Sequence, residues 1–255
     1  MSTLNSMNNP SSSNSTTKRV LFLRHGQAMH NPRAEEARSN GCSHETFLQL
    51  MKEDDAFDAD LTKLGESQAA QGREASHERL KGVQLVVSSP LTRAIKTADF
   101  TICPENGLDG QKPPRVCLED FREINGWLLN AKRRERVDLQ NRFHSSWDFS
   151  LLSDDDETWT ATLETEASCA ERGYQGMLWL RDRSEDKILT VAHGGLLRFC
   201  MVDHPNIRVI DDRPHDGKRF GNCELREYEM TWTADCENDE VTEERPLVIL
   251  TEIFE

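Results

Sequence analysis

The sequence predicts an α/β protein with three layers, α/β/α, around a central sheet that is mostly parallel. Short apolar runs rich in β-branched residues alternate with helical patterns after residue 18, which is the pattern of strands joined by crossover helices. No internal repeat or Pro/Gly-rich linker interrupts that alternation. The chain has 255 residues, and one hydrophobic core serves up to roughly 250 residues before chains tend to split. The expected division is a disordered polar tail over 1–17 and one domain over 18–255.

The tail, MSTLNSMNNPSSSNSTT, has no charge and no apolar block that could form a signal-peptide core. Val20–Leu23 is uninterrupted in hydrophobicity and is expected as a central strand; it ends at Arg24-His25-Gly26. Residues 32–60, with Glu53, Asp54, Asp55, Asp58 and Asp60, read as an irregular acidic insertion or cap. Leu61-Thr62-Lys63-Leu64-Gly65 opens a helix expected to reach about Leu80. Gln84–Ser88 is a second buried strand, and Pro90 sits where it favours the first turn of the next helix. Val116–Leu118 reads as a third strand leading into Glu119–Glu123, followed by a charged helix over Lys132–Phe143. Trp159, Leu163, Ala167, Ala170, Tyr174 and Met177 recur at steps of three and four, so Glu157–Arg183 is expected as one long helix. Ile188–Ala192 is a fourth strand, ending at His193-Gly194-Gly195 and continuing into a helical stretch over Leu196–Val202. Cys223–Met230 and Leu247–Ile253 complete the set as strands, expected antiparallel at an edge.

Lys and Arg number 31 against 45 Asp and Glu, a net charge of −14. That balance speaks against a nucleic-acid partner, which demands a broad basic face, but leaves room for a small anion in a local pocket. No apolar run of about 18 residues is present, so no transmembrane helix and no membrane partner are expected. Seven cysteines, an odd number without CxxC spacing, fit reduced thiols better than disulfides or a zinc site. The expectation is a cytoplasmic protein without metal or cofactor. Oligomeric state has no signal here.

Three expected strands end in polar segments: Arg24-His25-Gly26, Ser88-Ser89-Pro90-Leu91-Thr92-Arg93 and His193-Gly194-Gly195. In an open α/β sheet the carboxyl ends of adjacent parallel strands form the ligand crevice. Converging there, two guanidiniums and two imidazoles beside helix N-termini suit a phosphate dianion.

Together with Asn31, Leu61-Thr62-x-x-Gly65-x-x-Gln68-Ala69, Arg93-Ala94-x-x-Thr97-Ala98, Phe121-Arg122-Glu123-Ile124 and Ala192-His193-Gly194-Gly195, these segments resemble the histidine phosphatase (phosphoglycerate mutase-like) superfamily over roughly residues 18–202. Glu123-x-x-Gly126 followed by Arg133-Arg134 is most similar to the phosphoglycerate mutase-like phosphatases of plants and fungi. The resemblance implies the phosphoglycerate mutase-like fold and phosphoryl transfer through a phosphohistidine. It makes His25 the nucleophile, Arg24, Arg93 and His193 the holders of the phosphate oxygens, and Glu123 the acid for the leaving oxygen. Glu119 and Asp120 are close enough in sequence to take the acid's place. Asn31 either binds phosphate or caps a turn. Arg133 and Arg134 either reach a distal part of the substrate or cover a solvated helix face, the second being favoured. Asp154–Glu157 reads as a loop supplying charge to a helix start. His30, His44, His77, His144, His204 and His215 have no ligand spacing and read as ordinary surface or structural residues.

The favoured function is hydrolysis of a small phosphorylated substrate with an acidic-to-neutral pH optimum. The alternatives are a mutase, and a silent relic that binds a phospholigand. Gln27-Ala28 stands where mutases typically carry Glu-Ser, which weighs against the first, and the complete set of histidines and arginines weighs against the second. Substrate choice is expected to lie in 32–60, 126–160 and 208–220.

Overall fold

Successive residues of a strand face opposite sides of a sheet, and in β1 (Thr17–Arg24) both sides are buried. Val20 and Phe22 enter one core, while Leu21 and Leu23 enter another. In this computed structural model, residues 17–53, 56–103, 106–107, 110–211, 219–233 and 245–253 are described. β1 is the middle of a seven-stranded sheet, with β2 (Leu85–Ser88), β3 (Arg115–Cys117), β4 (Lys187–Ala192), β5 (Ile207–Ile210), β6 (Leu225–Trp232) and β7 (Val248–Glu252) in the order β3-β2-β4-β1-β6-β7-β5. Only β6 runs against its neighbours; β1, β2, β3 and β4 pair in parallel, as do β5 and β7.

Helices cover both faces. They are α1 (Asn31–Ser39), α2 (His44–Glu53), α3 (Lys63–Ala75), α4 (His77–Leu80), α5 (Thr92–Thr101), α6 (Arg136–Phe143), α7 (Glu166–Arg181) and α8 (Gly194–Arg198). On the Val20 side, Tyr174, Met177 and Leu180 of α7 pack with Leu196 and Leu197 of α8. On the Leu21 side, Ala94, Ile95 and Ala98 of α5 pack with Leu139 and Phe143 of α6. The three layers follow from this two-sided alternation. No described helix is long and apolar enough to cross a membrane.

Several expectations need correction. Thr17 belongs to β1 and not to the tail, whose residues 1–16 lie outside the described ones. The 32–60 stretch is not irregular: it holds α1 and α2, joined to the 127–131 segment through Ala34, Met51, Leu128 and Ala131. The helix expected to reach Leu80 breaks at Ser76 into α3 and α4. The charged helix begins at Arg136, not Lys132. The long helix begins only at Glu166, where the Thr165 side chain accepts from the Ser168 N–H. Residues 157–165 instead form a strap: Trp127 N–H donates to the Thr160 carbonyl at 2.8 Å and Glu164 N–H to the Asn125 carbonyl at 2.8 Å. β6 lies inside the sheet beside β1, and the edge on that side is β5, which has no counterpart among the expected strands. Cys236 lies outside the described residues; the other six cysteines carry free thiols.

Candidate active site

The register of the sheet brings the polar segments together. Arg24 lies opposite Ala192, and Ser88 opposite Val191, so the chain leaves β1, β4 and β2 side by side with His25, His193 and Ser89 at the same level. The first turn of α3 braces the segment after β1. Thr62 caps that helix by accepting from the Gly65 N–H at 3.0 Å, and Gln68 Oε1 accepts from the Gln27 N–H at 2.9 Å. Gly65 is required by the approach itself, because a Cβ there would lie 2.1 Å from the Gln27 carbonyl oxygen. On the other side, the Thr97 hydroxyl accepts from the Gly26 N–H at 3.1 Å and donates to the Arg93 carbonyl at 2.7 Å.

His25 is 2 % exposed, and its ring centroid lies 4.9 Å from that of His193. His25 Nδ1 is 2.6 Å from the Gly26 carbonyl oxygen. A carbonyl only accepts, so Nδ1 carries the hydrogen and the lone pair is left on Nε2. Burial, then the guanidiniums of Arg93 and Arg24, hold the His25 pKa well below the ordinary imidazole range. His193 is fully buried, with Nε2 2.8 Å from the Ser89 hydroxyl; burial, Arg93 and His25 hold its pKa well down too. Arg93, also fully buried, donates from Nη1 to the Asn130 carbonyl at 2.6 Å. Burial lowers its pKa to about 10, against the pull of Glu123 and Asp58, so it remains a cation at neutral pH. Arg24 donates from Nη1 to the Phe220 carbonyl at 2.8 Å and from Nη2 to Glu35 at 3.2 Å. On Arg24, Arg93 and His193, four buried nitrogens make no hydrogen bond with the described residues: Arg24 Nε, Arg93 Nε and Nη2, and His193 Nδ1. Buried donors left this way are costly unless they meet an acceptor.

Glu123 accepts from three backbone N–H groups: Ile124 at 2.9 Å, Leu196 at 3.0 Å and Gly195 at 3.2 Å. A Cβ on residue 195 would lie 2.3 Å from Glu123 Oε1, so the second glycine of the His193 motif makes room for the carboxylate. A cavity of about 370 Å³ opens onto Arg24, His25, His30 and Glu123. Arg93 and His193 are not among its lining residues; the His193 ring lies beside that of His25, and the Arg93 charge acts on it.

The neighbouring acids are engaged elsewhere. Glu119 bonds Arg133 at 2.6 Å and Arg122 at 3.1 Å, and neither Glu119 nor Asp120 lines the cavity. Arg133 is not on a solvated face: it is 1 % exposed and also donates to Ser153 and Asp155. Arg134 pairs with buried Asp58 at 3.2 Å. Within the Asp154–Glu157 run, Asp156 bonds Arg122 and the Arg133 N–H instead of serving a helix start. The Asn31 side chain lies outside the described residues, as do the side chain of His44 and all of His215.

His30 departs from its expected ordinary role. It is 4 % exposed, lines the cavity and sits with its ring centroid 6.4 Å from that of His25. Burial, Arg93 and Arg24 hold its pKa well down. The signal available was its position immediately before Asn31. His204 is structural, stacked on Tyr174 at 4.5 Å. Among the described residues no group of three or more His, Cys, Asp or Glu side chains is arranged to hold a metal ion.

The histidine phosphatase superfamily (branch 1) family model matches residues 20–239. Phosphoglycerate mutase-like protein 1 of Arabidopsis thaliana is 31 % identical over 235 residues, covering 82 % of this chain and 79 % of its own. Phosphoglycerate mutase-like protein 2 of the same plant is 27 % identical, covering 92 % and 80 %. In fold, the chain is similar to the ecdysone phosphate phosphatase of Bombix mori solved with tungstate, with a TM-score of 0.52 and 15 % identity over 83 % of this chain and 88 % of that one. The family model spans all the strand ends that meet at the cavity, and the chain belongs to the histidine phosphatase superfamily.

Proposed function

We propose that this protein is a phosphomonoesterase that carries the phosphoryl group of a small phosphorylated substrate on Nε2 of His25 and then transfers it to water. The observation that carries the reading is the His25 tautomer, with the hydrogen on Nδ1 and an uncharged lone pair on Nε2. In the first step Nε2 bonds to phosphorus as the bond from phosphorus to the alcohol oxygen breaks, and that oxygen takes the proton of Glu123. In the second, a water oxygen bonds to phosphorus and gives its proton to Glu123. The N–P bond breaks and its electron pair returns to Nε2.

A phosphoryl group on Nε2 of His25 is held by Arg24, Arg93 and His193, the three neighbours that keep buried nitrogens without a hydrogen bond among the described residues. Fixed donors aimed at developing charge are the usual largest contribution to such catalysis. Asn31 and protonated His193 add donors; the dianion supplies what is needed to offset the burial that keeps His193 neutral. This chemistry needs no metal or cofactor. Hydrolysis is favoured over a mutase because buried Ala28 brings no hydroxyl beside the nucleophile. The catalytic unit is one domain, from β1 onward, acting in the cytoplasm.

Hydrolysis of an aryl phosphate, measured with EDTA and with vanadate, tests this directly. Activity persists in EDTA, vanadate inhibits, and His25→Ala loses about 10³-fold or more in kcat. A phosphoenzyme that is labile in acid and stable in base accumulates in wild type only. Undiminished turnover by His25→Ala removes the nucleophile and with it this function.

A further inference from the structure

The cavity onto which His25 opens combines two further chemistries. Met51 from α2, Leu128, Leu163 and Phe199 give it an apolar lining. Arg38, Arg198 and Arg219 line the same cavity, and none of the three has a carboxylate ion pair among the described residues, in a chain with 45 acidic side chains. Most other described arginines are paired, for example Arg19, Arg79, Arg115, Arg122 and Arg172.

The acids that share the cavity are largely engaged. Glu35 is held by Arg24 at 3.2 Å, Glu164 by Arg172 at 2.8 Å and Glu123 by backbone N–H groups, which leaves Glu166. Arg38 lies with its guanidinium carbon 3.5 Å from the centroid of Phe47. Burial first, then the like charges of Arg219 and Arg24, lower its pKa. Guanidiniums that repel one another around a concave wall are an electrostatic cost which an anion between them removes. Local conflicts of this kind concentrate at functional sites.

We infer that the end of the cavity bearing Arg38 and Arg219 is a subsite for a second anionic group, so that the substrate is a phosphomonoester of a ring-sized apolar alcohol bearing a carboxylate or a second phosphate. The volume of about 370 Å³ sets the size, at the small end of the roughly 300–1,000 Å³ typical of ligand cavities. The subsite rests on the proposed phosphatase reading, which supplies the first phosphate at His25. Arg24 is committed to Glu35 and Phe220 through its terminal nitrogens, so the second anion falls to Arg38 and Arg219, whose charges act on each other.

The test compares kcat/KM for phenyl phosphate, 4-carboxyphenyl phosphate and hydroquinone bisphosphate in wild type and in the Arg38→Gln, Arg219→Gln double variant. Wild type prefers an ester with the second anion, and the double variant lowers that preference, as a ratio to phenyl phosphate, by about tenfold, mostly through KM. The preferred ester distinguishes a carboxylate from a phosphate. A ratio unchanged by the double substitution overturns the subsite while leaving hydrolysis intact. Absence of turnover of every ester by wild type overturns the phosphatase reading instead. Calorimetric affinities for the three esters then decide the subsite, which falls if the added anion brings no gain that the double variant loses.

Discussion

The floor of the cavity and its cap are held together by different forces. On the floor, Gly26, Ser89, Glu123 and Gly195 are fixed by hydrogen bonds that join backbone at strand ends and helix starts to side chains such as Thr97 and Glu123. The cap is a separate small core, Ala34, Met51, Leu128 and Ala131 with Phe47 and Trp127 against it, between α1, α2 and the segment after Glu123. The floor can therefore stay rigid for chemistry that tolerates little displacement, while the cap offers apolar surface whose shape can change without moving the nucleophile.

Gly195→Ala presses hardest on that contrast. The added methyl group displaces Glu123, and kcat falls by about 10³-fold, the range general acid catalysis contributes, with KM changing less. Steady-state kinetics showing kcat within twofold of wild type would mean that the carboxylate does not depend on its seat on α8. Asp58 joins the two regions, accepting from the Thr92 N–H at 2.8 Å and pairing with Arg134 at 3.2 Å. Burial pushes its pKa up to about 6 from 3.8, against the hydrogen bonds of Thr92. The folded state thus holds its proton to higher pH than the unfolded chain does, so this group's contribution to stability is complete below the unfolded pKa and is lost as pH rises through about 6. A shift of about two units bounds the loss at about 3 kcal/mol. Asp58→Asn flattens the stability profile between about pH 4 and 6 in denaturant titrations; an unchanged slope assigns that region to other groups. Met51→Ala, inside the cap core, raises KM for a ring-sized phosphate ester about tenfold and moves kcat much less. A kcat loss as deep as that of Gly195→Ala would erase the distinction between cap and floor.

The floor was legible because its chemistry is written in contiguous segments at strand ends. Arg24-His25, Arg93 and His193 stand out as polar residues that an apolar strand delivers to one crevice, and the parallel register does the rest. Glu123 was separable from Glu119 and Asp120 only in three dimensions, where Glu119 is taken by Arg122 and Arg133. The cap was not legible. α1 has almost no apolar stripe, since only Ala34 of its described side chains is buried, and its acidic surroundings read as loop. His30 is not legible because a histidine without ligand spacing carries no pattern. The start of α7 is hidden in the sequence because Trp159 and Leu163 keep its step by coincidence: Trp159 donates from Nε1 to the Leu128 carbonyl at 3.0 Å, and Leu163 lines the cavity. β5 gives no clear signal because it alternates only weakly, with Ile207 buried and Ile210 exposed.

Arg24 sits where these regions meet. One guanidinium edge grips the carbonyl of Phe220 and the carboxylate of Glu35 in the cap, while Nε is buried with no hydrogen bond among the described residues. Transplanting a different lid onto this scaffold would therefore have to bring its own carboxylate to the place of Glu35, or the side chain that helps cradle the reacting group would lose its anchor. Diversification of the roof is constrained through this one contact, however freely the remaining cap residues are exchanged.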